Sequence, residues 1–470
     1  MSEAQAAVNA ARFTLREIAA ATAGCVLRGN PDMPLCGVLT DTRAVQPGVL
    51  FVALPGERFD GHDFLAHAAA AGASAAVIAN TKKSAEAPGD LALVAVDDTL
   101  KALGDLARVH RRRFDIPVVG VTGSYGKTTT RALIAAALSG NFNMLASSGN
   151  FNNEIGVPQT LLQLDETHGA AVIEMGMRGP GQIEYLAQIA QPTIGVITNI
   201  GPQHIELLGS VENIAAAKAE LLSALPPDGL AVLPADDEHL DFLRSRAPCP
   251  VVTFGTSPKA DYRVRNIVTG PDGNISYLLD MANPCGWGLS LPLPGAHNAV
   301  NAAAAIALIG GAYSVLGISL ENAVVKLSKV EVPGARMRIV KAHGLTIIDD
   351  CYNAGPDSMR AALATLRDFP GAGRRIAILG AMKELGDWAD AEHRKIGELA
   401  NTCAEAVLGV GVETRALLEA IDSRMYTEWC ADAAGAVECA RALVREGDVV
   451  LVKGSRSVGL EAVVSALAIQ

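Results

Sequence analysis

Aromatic residues and positive charge are scarce in this chain. Only 4% of its 470 residues are aromatic, and 39 lysines and arginines stand against 50 aspartates and glutamates, which gives a formal net charge of −11. A chain with this balance has no general affinity for the phosphates of nucleic acid or for an anionic membrane surface. We therefore expect no nucleic-acid partner, and any anionic ligand has to be recognised by a local site.

Paired cysteines and membrane-length apolar runs are also lacking. The eight cysteines form no Cys-x-x-Cys pair and lie at positions 25, 36, 249, 285, 351, 403, 430 and 439. Scattered cysteines in a long chain are typical of reduced, packed thiols, so we expect a cytoplasmic protein. Residues 1–13 show neither the basic nor the apolar region of a secretory signal. The alanine-rich stretch 302–318 is interrupted by glycines, which favours a buried helix over a membrane span.

The chain is instead rich in aliphatic residues and glycine. Half of it is hydrophobic, and it has 46 glycines. Cores of Ala, Val, Leu and Ile around glycine turns suit parallel α/β architecture, and roughly 150 residues per domain predicts about three domains. We expect a small α/β domain over 1–114, a central parallel-sheet domain over 115–332 and a Rossmann-like domain over 333–470.

The order of apolar runs and turns supports this division. Thr14 and Glu17 have the spacing of a helix capping box, and a helix over about 98–113 precedes the apolar run 117–122. The turn at 270–273 lies between two alternating runs and predicts an antiparallel hairpin added to the central sheet. Buried strands alternating with helices are expected at 171–173, 193–198, 230–233, 251–254, 345–348, 375–379, 406–410 and 449–452.

The segment Thr122-Gly-Ser-Tyr-Gly-Lys-Thr-Thr129 joins the run 117–122 to a predicted helix. Glycines let backbone N–H groups approach phosphates at a helix N-terminus, a lysine adds a point charge, and a threonine can reach a bound Mg²⁺. Val121 stands where the common P-loop pattern has its first glycine, so a glycine turn with a surface lysine is the alternative. We predict an ATP phosphate site formed by Gly123, Ser124, Tyr125, Gly126, Lys127, Thr128 and Thr129.

Two further polar residues follow predicted strands. Glu174 ends the run 171–173, and His204 lies in the loop after the run 193–198. Ligands of parallel sheets gather at the carboxyl ends of the strands, and Mg²⁺ takes one or two carboxylates together with nucleotide phosphates. Both residues are candidate metal ligands. The alternatives are a solvated glutamate and a hydrogen-bonded structural histidine.

Lys218 lies in the middle of an apolar helix stripe. At 100° per residue it shares one face with Val211, Ile214, Ala215, Leu221, Leu222 and Leu225. Its long stem could extend past the core to solvent. The other interpretation is a buried lysine with a lowered pKa, which can react with CO₂ to give an anionic carbamate able to bind metal.

Four further candidate residues lie on either side of the second predicted domain boundary. Asn298 and Asn301 share one side of a helix and could hydrogen-bond a base, although asparagines near a helix start are also ordinary caps. Arg336 could deliver charge to a phosphate when domains close, or could be a surface arginine. Asp350 ends a strand and could meet a ribose hydroxyl.

These segments together resemble the Mur ligase family, the ATP-dependent amide-forming enzymes of peptidoglycan precursor synthesis, over nearly the whole chain. Two features differ from the usual pattern: Tyr125 stands where a small residue is usual, and Ala335 separates Gly334 from Arg336 of a Pro-Gly-Arg. The matching blocks, in family order, are 122–129, Glu174-Met-Gly176, 199–204, Ala217-Lys-Ala-Glu220, 295–301 and Lys453-Gly-Ser-Arg-Ser457.

Within the family, the blocks 149–158, 349–354 and 356–359 resemble the members that add D-alanyl-D-alanine. The sequence has no Asp-Asn-Pro-Arg motif of the kind found in the members that add the preceding diamino acid. The segments 40–43 and 55–62 resemble the uridine-diphosphate-binding domain that both kinds share.

The resemblance also implies roles for individual residues. Lys127 and Thr128 would hold the ATP phosphates and one Mg²⁺, with Glu174 as its carboxylate ligand. His204 and a carbamylated Lys218 would hold a second Mg²⁺. The other implied contacts are Asn298 and Asn301 with the adenine side, Arg336 with the γ-phosphate, Asp350 with the ribose, and Thr42, Arg43 and Asn153 with the uridine-nucleotide substrate.

The implied reaction joins D-alanyl-D-alanine to UDP-N-acetylmuramoyl-tripeptide at the expense of ATP, through an acyl phosphate, in a monomeric cytoplasmic enzyme. Three alternatives stay open. The first two are a diamino-acid-adding Mur ligase and a folylpolyglutamate synthase relative, which would share the ATP site. The third is a nucleotide-binding protein without transfer chemistry, which would leave Lys218 on its apolar face unexplained.

Overall fold

The computed structural model describes residues 9–81, 87–281 and 286–469. Cys285 and the first eight residues, which entered the expectation of a cytoplasmic protein, lie outside the described residues. The chain divides into two compact units. One comprises Met1–Gly120, Phe142–Met177 and Gly181–Thr193, and the other comprises Val121–Asn141, Arg178–Pro180 and Ile194–Gln470.

Strands and helices alternate over much of the chain up to residue 193. The strands are β1 (Arg12–Thr14), β2 (Cys25–Arg28), β3 (Pro34–Cys36), β4 (Val38–Leu39), β5 (Leu50–Val52), β6 (Ala75–Ala79), β7 (Ala92–Val96), β8 (Val118–Thr122), β9 (Met144–Ala146) and β10 (Ala170–Glu174). The helices are α1 (Leu15–Thr22), α2 (Leu65–Ala70), α3 (Thr99–Arg111), α4 (Lys127–Leu138), α5 (Gly156–Leu161) and α6 (Gln182–Ala190).

The first unit contains a five-stranded sheet in the order β2-β7-β6-β5-β4. The strands from β4 to β7 are parallel, and β2 joins the edge antiparallel to β7. Phe51, Ile78 and Leu93, which belong to three strands of this sheet, are buried in its core. The predicted capping box is confirmed, because the Thr14 side chain accepts from the backbone N–H of Glu17 and the Glu17 side chain accepts from that of Thr14. In the same unit β9 and β10 pair in parallel.

The part of the chain between residues 194 and 332 adds a second set of elements. The strands are β11 (Ile194–Ile197), β12 (Leu230–Pro234), β13 (Val251–Gly255), β14 (Tyr262–Thr269), β15 (Ile275–Asp280) and β16 (Trp287–Leu291). The helices are α7 (Ile205–Leu208), α8 (Val211–Ser223), α9 (Leu240–Arg246), α10 (Ala296–Gly311), α11 (Tyr313–Leu316) and α12 (Leu320–Leu327).

In the second unit these six strands lie side by side in the order β16-β15-β14-β13-β12-β11. The strands from β11 to β14 are parallel, and β15 and β16 are antiparallel to their neighbours. The predicted hairpin across residues 270–273 is therefore confirmed, and β16 extends it by a strand that the sequence patterns did not predict. Helix α10 packs on α4 and on β13.

The remaining elements form a six-stranded sheet with flanking helices. The strands are β17 (Arg338–Ala342), β18 (Leu345–Asp350), β19 (Arg375–Gly380), β20 (Ala406–Val410), β21 (Tyr426–Cys430) and β22 (Val449–Lys453). The helices are α13 (Pro356–Asp368), α14 (Ala389–Ala400), α15 (Thr414–Glu419), α16 (Ala433–Leu443) and α17 (Glu461–Ala468). The sheet order is β17-β18-β22-β19-β20-β21, and only β17 is antiparallel.

The α/β fold class predicted from the sequence is confirmed, since helices alternate with parallel strands in each of these sheets. Every strand predicted after residue 170 is present, with ends that differ by no more than a few residues. Within the described ranges no helix is long and apolar enough to cross a membrane. The domain boundaries at 114/115 and 332/333 stay a prediction.

Candidate active site

The glycine-rich segment forms a loop between β8 and α4. Gly126 has a φ of +77° and precedes the first residue of α4, Lys127. The Lys127 ammonium donates to the carbonyl oxygens of Gly123 (2.7 Å) and Ser124 (3.1 Å). A Cβ atom at Gly123 would lie 1.9 Å from Oγ1 of Thr198, so only glycine fits there. The loop is thus a preformed turn that holds its lysine over the start of a helix, as phosphate binding requires.

The loop after β11 supports the phosphate loop. The Ser124 hydroxyl and the Gly201 backbone exchange hydrogen bonds of 2.9 Å. The Tyr125 N–H donates to Asn199 (3.0 Å), and the Tyr125 carbonyl accepts from the Thr198 hydroxyl (2.6 Å). Because its backbone is fixed in this way, a large side chain at position 125 does not disturb the turn. Burial, and then the charge of Asp357, raise the pKa of Tyr125 to about 12, so the phenol stays neutral.

His204 and Lys218 bring two more nitrogen groups to this region. His204 precedes α7, and its Nδ1 lies 2.5 Å from a carboxylate oxygen of Glu384. Burial lowers the pKa of His204 to about 4, the Glu384 charge opposes this shift, and the charges of Lys127 and Lys218 add to it. The imidazole is therefore neutral at pH 7 and can act as a ligand or a hydrogen-bond acceptor.

The burial of Lys218 that the apolar stripe predicts is confirmed. The residue lies in α8 with only 2% of its surface exposed, so its stem does not extend to solvent. Among the described residues, the side chain of Lys218 makes no hydrogen bond and no ion pair. Burial, and secondly the Lys127 charge, hold the pKa of Lys218 well below its ordinary value. A buried amine whose pKa is lowered in this way is chemically suited to react with CO₂ through its uncharged form, and the resulting carbamate would be an anion.

Asn298 and Asn301 lie near the start of α10 and are buried. Asn298 donates to the Pro294 carbonyl (2.7 Å), and Asn301 donates to the side-chain oxygen of Asn298 (3.2 Å). A Cβ at Gly126 would lie 2.9 Å from Asn301 Oδ1, so this pair packs directly beneath the phosphate loop. The structure therefore gives both asparagines local partners and a position that supports the loop.

Asp350 at the end of β18 forms a buried ion pair. Its Oδ2 accepts from the Lys453 ammonium at 2.6 Å, and Lys453 also donates to the Asn353 carbonyl at 2.8 Å. Burial lowers the pKa of neighbouring His297 to about 4, against the charge of Asp350 and together with that of Lys453. Lys453 and Glu384 were not among the site residues predicted from the sequence. Lys453 could have been found from the sequence, because it ends the wholly apolar run Val449–Val452. No local pattern marks Glu384.

Arg336 lies where the chain enters the six-stranded sheet. Its guanidinium stacks on the Tyr352 ring at 3.7 Å from the centroid and donates to the Pro333 carbonyl at 2.9 Å. The guanidinium of Arg456 lies 5.2 Å from the same ring. Two cations on one ring can each be presented to an anionic ligand without an ion pair having to break first.

The remaining predicted residues belong to the first unit. Thr42 and Arg43 form a short 3₁₀ turn (Thr42–Ala44), in which Arg43 pairs with Asp41 at 2.5 Å. Asn153 precedes α5 and accepts from the Gly156 N–H at 2.9 Å. Glu174 ends β10 with 2% of its surface exposed, and its Oε1 accepts from the Asn152 amide at 2.9 Å.

The described side chains do not include a group of three or more His, Cys, Asp or Glu residues placed to hold a metal. The candidate metal ligands from the sequence are the Thr128 hydroxyl, the Glu174 carboxylate, the His204 imidazole and the Lys218 amine. The hydroxyl and the carboxylate are the hard oxygen ligands that Mg²⁺ prefers, and an amine becomes one only after carbamylation. By the chemistry of their oxygen atoms, the Thr128 hydroxyl of the second unit and the Glu174 carboxylate of the first unit are therefore each suited to Mg²⁺.

Three family models match the chain. Residues 35–111 match the Mur ligase family catalytic domain, residues 121–309 the Mur ligase middle domain, and residues 335–456 the Mur ligase glutamate ligase domain. The UDP-N-acetylmuramoyl-tripeptide–D-alanyl-D-alanine ligase of Synechocystis sp. is 41% identical over 458 residues, which cover 93% of each chain.

Solved structures agree with these matches. A crystal structure of MurF from Acinetobacter baumannii aligns with a TM-score of 0.90 at 31% identity and covers 98% of this chain and 100% of that chain. MurF ligase from Thermotoga maritima, in complex with ADP, aligns with a TM-score of 0.82 at 28% identity over 92% of this chain and 97% of that one. The three-domain architecture expected from the sequence is that of these structures.

Proposed function

Because this chain belongs to the Mur ligase family, an ATP-dependent amide-forming family, we propose that it joins D-alanyl-D-alanine to UDP-N-acetylmuramoyl-tripeptide in the cytoplasm as a step of peptidoglycan precursor synthesis. The names of the similar ligases support this pair of substrates. The structural observation that carries the proposal is the phosphate loop with Lys127 beside the buried Lys218 and the neutral His204.

The phosphate loop and α4 bind the ATP phosphates in this proposal. Lys127 contributes charge, Thr128 its hydroxyl, and the backbone of Gly123–Gly126 and the side chain of Thr129 complete the cradle. The Lys127 ammonium already lies at the loop. When ATP binds, it exchanges the loop carbonyl oxygens for a phosphate oxygen as its hydrogen-bond acceptor. Asn298 and Asn301 face the adenine side, and Asp350 faces the ribose.

Mg²⁺, in one or two ions, would be held by Thr128, Glu174, His204 and a carbamylated Lys218. The metal supplies Lewis-acid stabilisation of charge on the phosphoryl and carboxyl oxygens. His204 is already neutral and needs to lose no proton before it can serve as a ligand. Thr42 and Arg43 of the first domain, together with Asn153 of the central domain, bind the uridine-nucleotide substrate.

The reaction proceeds in two steps. A carboxylate oxygen of the tripeptide attacks the γ-phosphorus, the bond to the ADP oxygen breaks, and an acyl phosphate forms. The amine of D-alanyl-D-alanine then attacks the acyl carbon, and inorganic phosphate and a proton leave. Both steps place negative charge next to Lys127, and Arg336 adds charge at the γ-phosphate from the third domain.

The proposal includes domains over 1–114, 115–332 and 333–470, and a monomeric enzyme. Gly334 supports the second boundary, because its φ of +88° marks a turn just before β17. The net charge of −11 favours a protein that stays dispersed.

The test measures phosphate release from ATP with UDP-N-acetylmuramoyl-tripeptide, with D-alanyl-D-alanine, and with both. We expect release only when both are present. Release with UDP-N-acetylmuramoyl-dipeptide and a diamino acid, or with a folate and glutamate, would instead support one of the two enzyme alternatives. ATP binding without release under any of these conditions would contradict the proposed activity and favour a nucleotide-binding protein.

A further inference from the structure

Two arginines share the ring of Tyr352 in the domain of the six-stranded sheet. The guanidinium carbon of Arg336 lies 3.7 Å from the ring centroid, and that of Arg456 lies 5.2 Å from it. Since both distances end at the same centroid, each guanidinium is close enough to be attracted to the ring, and the two carbons are less than about 9 Å apart. Arg336 has a role at the γ-phosphate in the proposed function, whereas Arg456 has none.

The backbone on both sides of this ring belongs to the ordered part of the sheet domain. The N–H of Tyr352 donates to the carbonyl oxygen of Ala335 at 3.2 Å, which ties the ring to the segment that carries Arg336. Arg456 begins a short 3₁₀ turn after β22. Because β18 and β22 are parallel neighbours, Tyr352 and Arg456 both follow strands at the carboxyl edge of the sheet, where ligands of such sheets bind.

Neither guanidinium is neutralised by a carboxylate. In the described part of the chain the Arg336 side chain donates to the Pro333 carbonyl and makes no ion pair, and the exposed Arg456 side chain makes no hydrogen bond and no ion pair. Other arginines of the same domain do pair with carboxylates, namely Arg338, Arg360, Arg367, Arg374, Arg394 and Arg424. Two like charges this close repel each other, and a bound anion would remove the repulsion. The pair therefore offers both charge and open hydrogen-bond donors to anionic groups.

The proposed reaction holds two anionic groups at a similar separation. The incoming D-alanyl-D-alanine has a free carboxylate, and its amine attacks a carbon that is joined to the phosphoryl group through one oxygen. A chain of two residues spans at most about 7 Å, so this carboxylate lies within about 10 Å of the phosphoryl group. That separation is close to the spacing of the two guanidiniums. The planar fork of an arginine also matches a carboxylate better than a lysine would.

We infer that Arg456, held on the Tyr352 ring, binds the free carboxylate of the incoming dipeptide while Arg336 meets the phosphoryl group. Arg456 is then a specificity-determining residue, because it makes the enzyme select a dipeptide with a charged terminus. This inference rests on the proposed function, since it concerns a substrate of that reaction. A dipeptide whose terminal carboxylate is replaced by an uncharged amide would lose the ion pair with Arg456 and keep the attacking amine.

The test compares D-alanyl-D-alanine with D-alanyl-D-alaninamide as second substrates of the full-length protein, with saturating ATP and UDP-N-acetylmuramoyl-tripeptide. A hydrogen bond to a charged group corresponds to about tenfold or more in affinity, so the wild type should use the amide with a kcat/KM at least about tenfold lower, mainly through KM. Arg456→Gln should lower kcat/KM for the dipeptide to about the value for the amide and leave the amide unchanged. Arg336→Gln should instead lower kcat for both substrates and keep their ratio.

Arg415→Gln is the matched control, because Arg415 also stacks on an aromatic ring of this domain, that of Trp429, at 4.0 Å from the centroid. It should leave both kcat/KM values unchanged. Equal use of dipeptide and amide by the wild type, or the same loss with both substrates in Arg456→Gln, would overturn the inference while the ligase activity stands. Loss of the ratio in Arg336→Gln alone would place the carboxylate on the other arginine and overturn it as well. Absence of ligation by the wild type would refute the proposed function and this inference with it.

Discussion

The buried amine of Lys218 gives a prediction that depends on no substrate. The folded protein holds the pKa of Lys218 well below its ordinary value, mainly through burial. Between the folded and unfolded pKa values the unfolded chain binds one proton more than the folded chain. The free energy of unfolding must then rise with pH across this window, because stability increases wherever the unfolded state binds more protons.

One extra proton on the unfolded chain corresponds to roughly 1 kcal/mol per pH unit, so the free energy of unfolding should rise with pH at up to about this slope. The Lys218→Met variant replaces the amine with an apolar side chain of similar length in a site that is 2% exposed. It should be more stable than the wild type at pH 7.5, and this advantage should shrink steadily as the pH approaches about 10, where the unfolded lysine also loses its proton.

Calorimetry of both proteins in CO₂-free buffer measures this difference in the free energy of unfolding. Because other titrating groups contribute equally to both proteins, the dependence of the difference on pH reports on Lys218 alone. The transition to analyse is the one that the substitution shifts, because a chain with several domains need not unfold in one step. A pH-independent difference, or a variant less stable than the wild type at pH 7.5, would show that Lys218 is charged and compensated in the folded protein.

Three further predictions concern the neighbouring groups. Lys453→Met leaves Asp350 buried without its partner and should lower the free energy of unfolding, measured in urea, by about 3–5 kcal/mol. Adding Asp350→Asn should recover much of this loss. An unchanged urea midpoint in the single variant would refute the role of the pair. Gly123→Ala should weaken binding of an ATP analogue at least tenfold in calorimetric titration, because its Cβ meets Thr198, whereas Gly288→Ala meets nothing within 4 Å and should bind normally. His297 has a pKa lowered to about 4, so stability should rise with pH between about 4 and 6.5, and His297→Gln should flatten this rise in thermal unfolding.

The fold was largely predictable because its strands are short, wholly apolar and separated by glycine turns. Residues such as Ala406–Val410 are buried on both faces of a parallel sheet, so their pattern depends little on their neighbours. Strands β16, β17 and β21, which lie at sheet edges, were missed for the opposite reason. Tyr426–Cys430 is half exposed at a sheet edge, and its residues Tyr, Thr, Glu, Trp and Cys give no clear apolar run.

Features of the site that depend on local sequence could be predicted. Features that depend on contacts between distant parts of the chain could not. The phosphate loop and the burial of Lys218 follow from a motif and from helix periodicity, both of which are local. The partners of His204 and Asp350 are Glu384 and Lys453, which are 180 and 103 positions away in the chain. No spacing rule connects such pairs, and only the meeting of strand ends in the folded sheets brings them together.

Ligation through an acyl phosphate moves one oxygen atom from the tripeptide carboxylate to inorganic phosphate, and isotope labelling measures this transfer. UDP-N-acetylmuramoyl-tripeptide labelled with ¹⁸O in its terminal carboxylate is incubated with ATP, Mg²⁺, D-alanyl-D-alanine and the protein, and the phosphate and the nucleotide product are weighed by mass spectrometry. We expect one ¹⁸O atom in each inorganic phosphate and one in the new amide. Ligated product with unlabelled phosphate, or no ligated product with this pair of substrates, would contradict it.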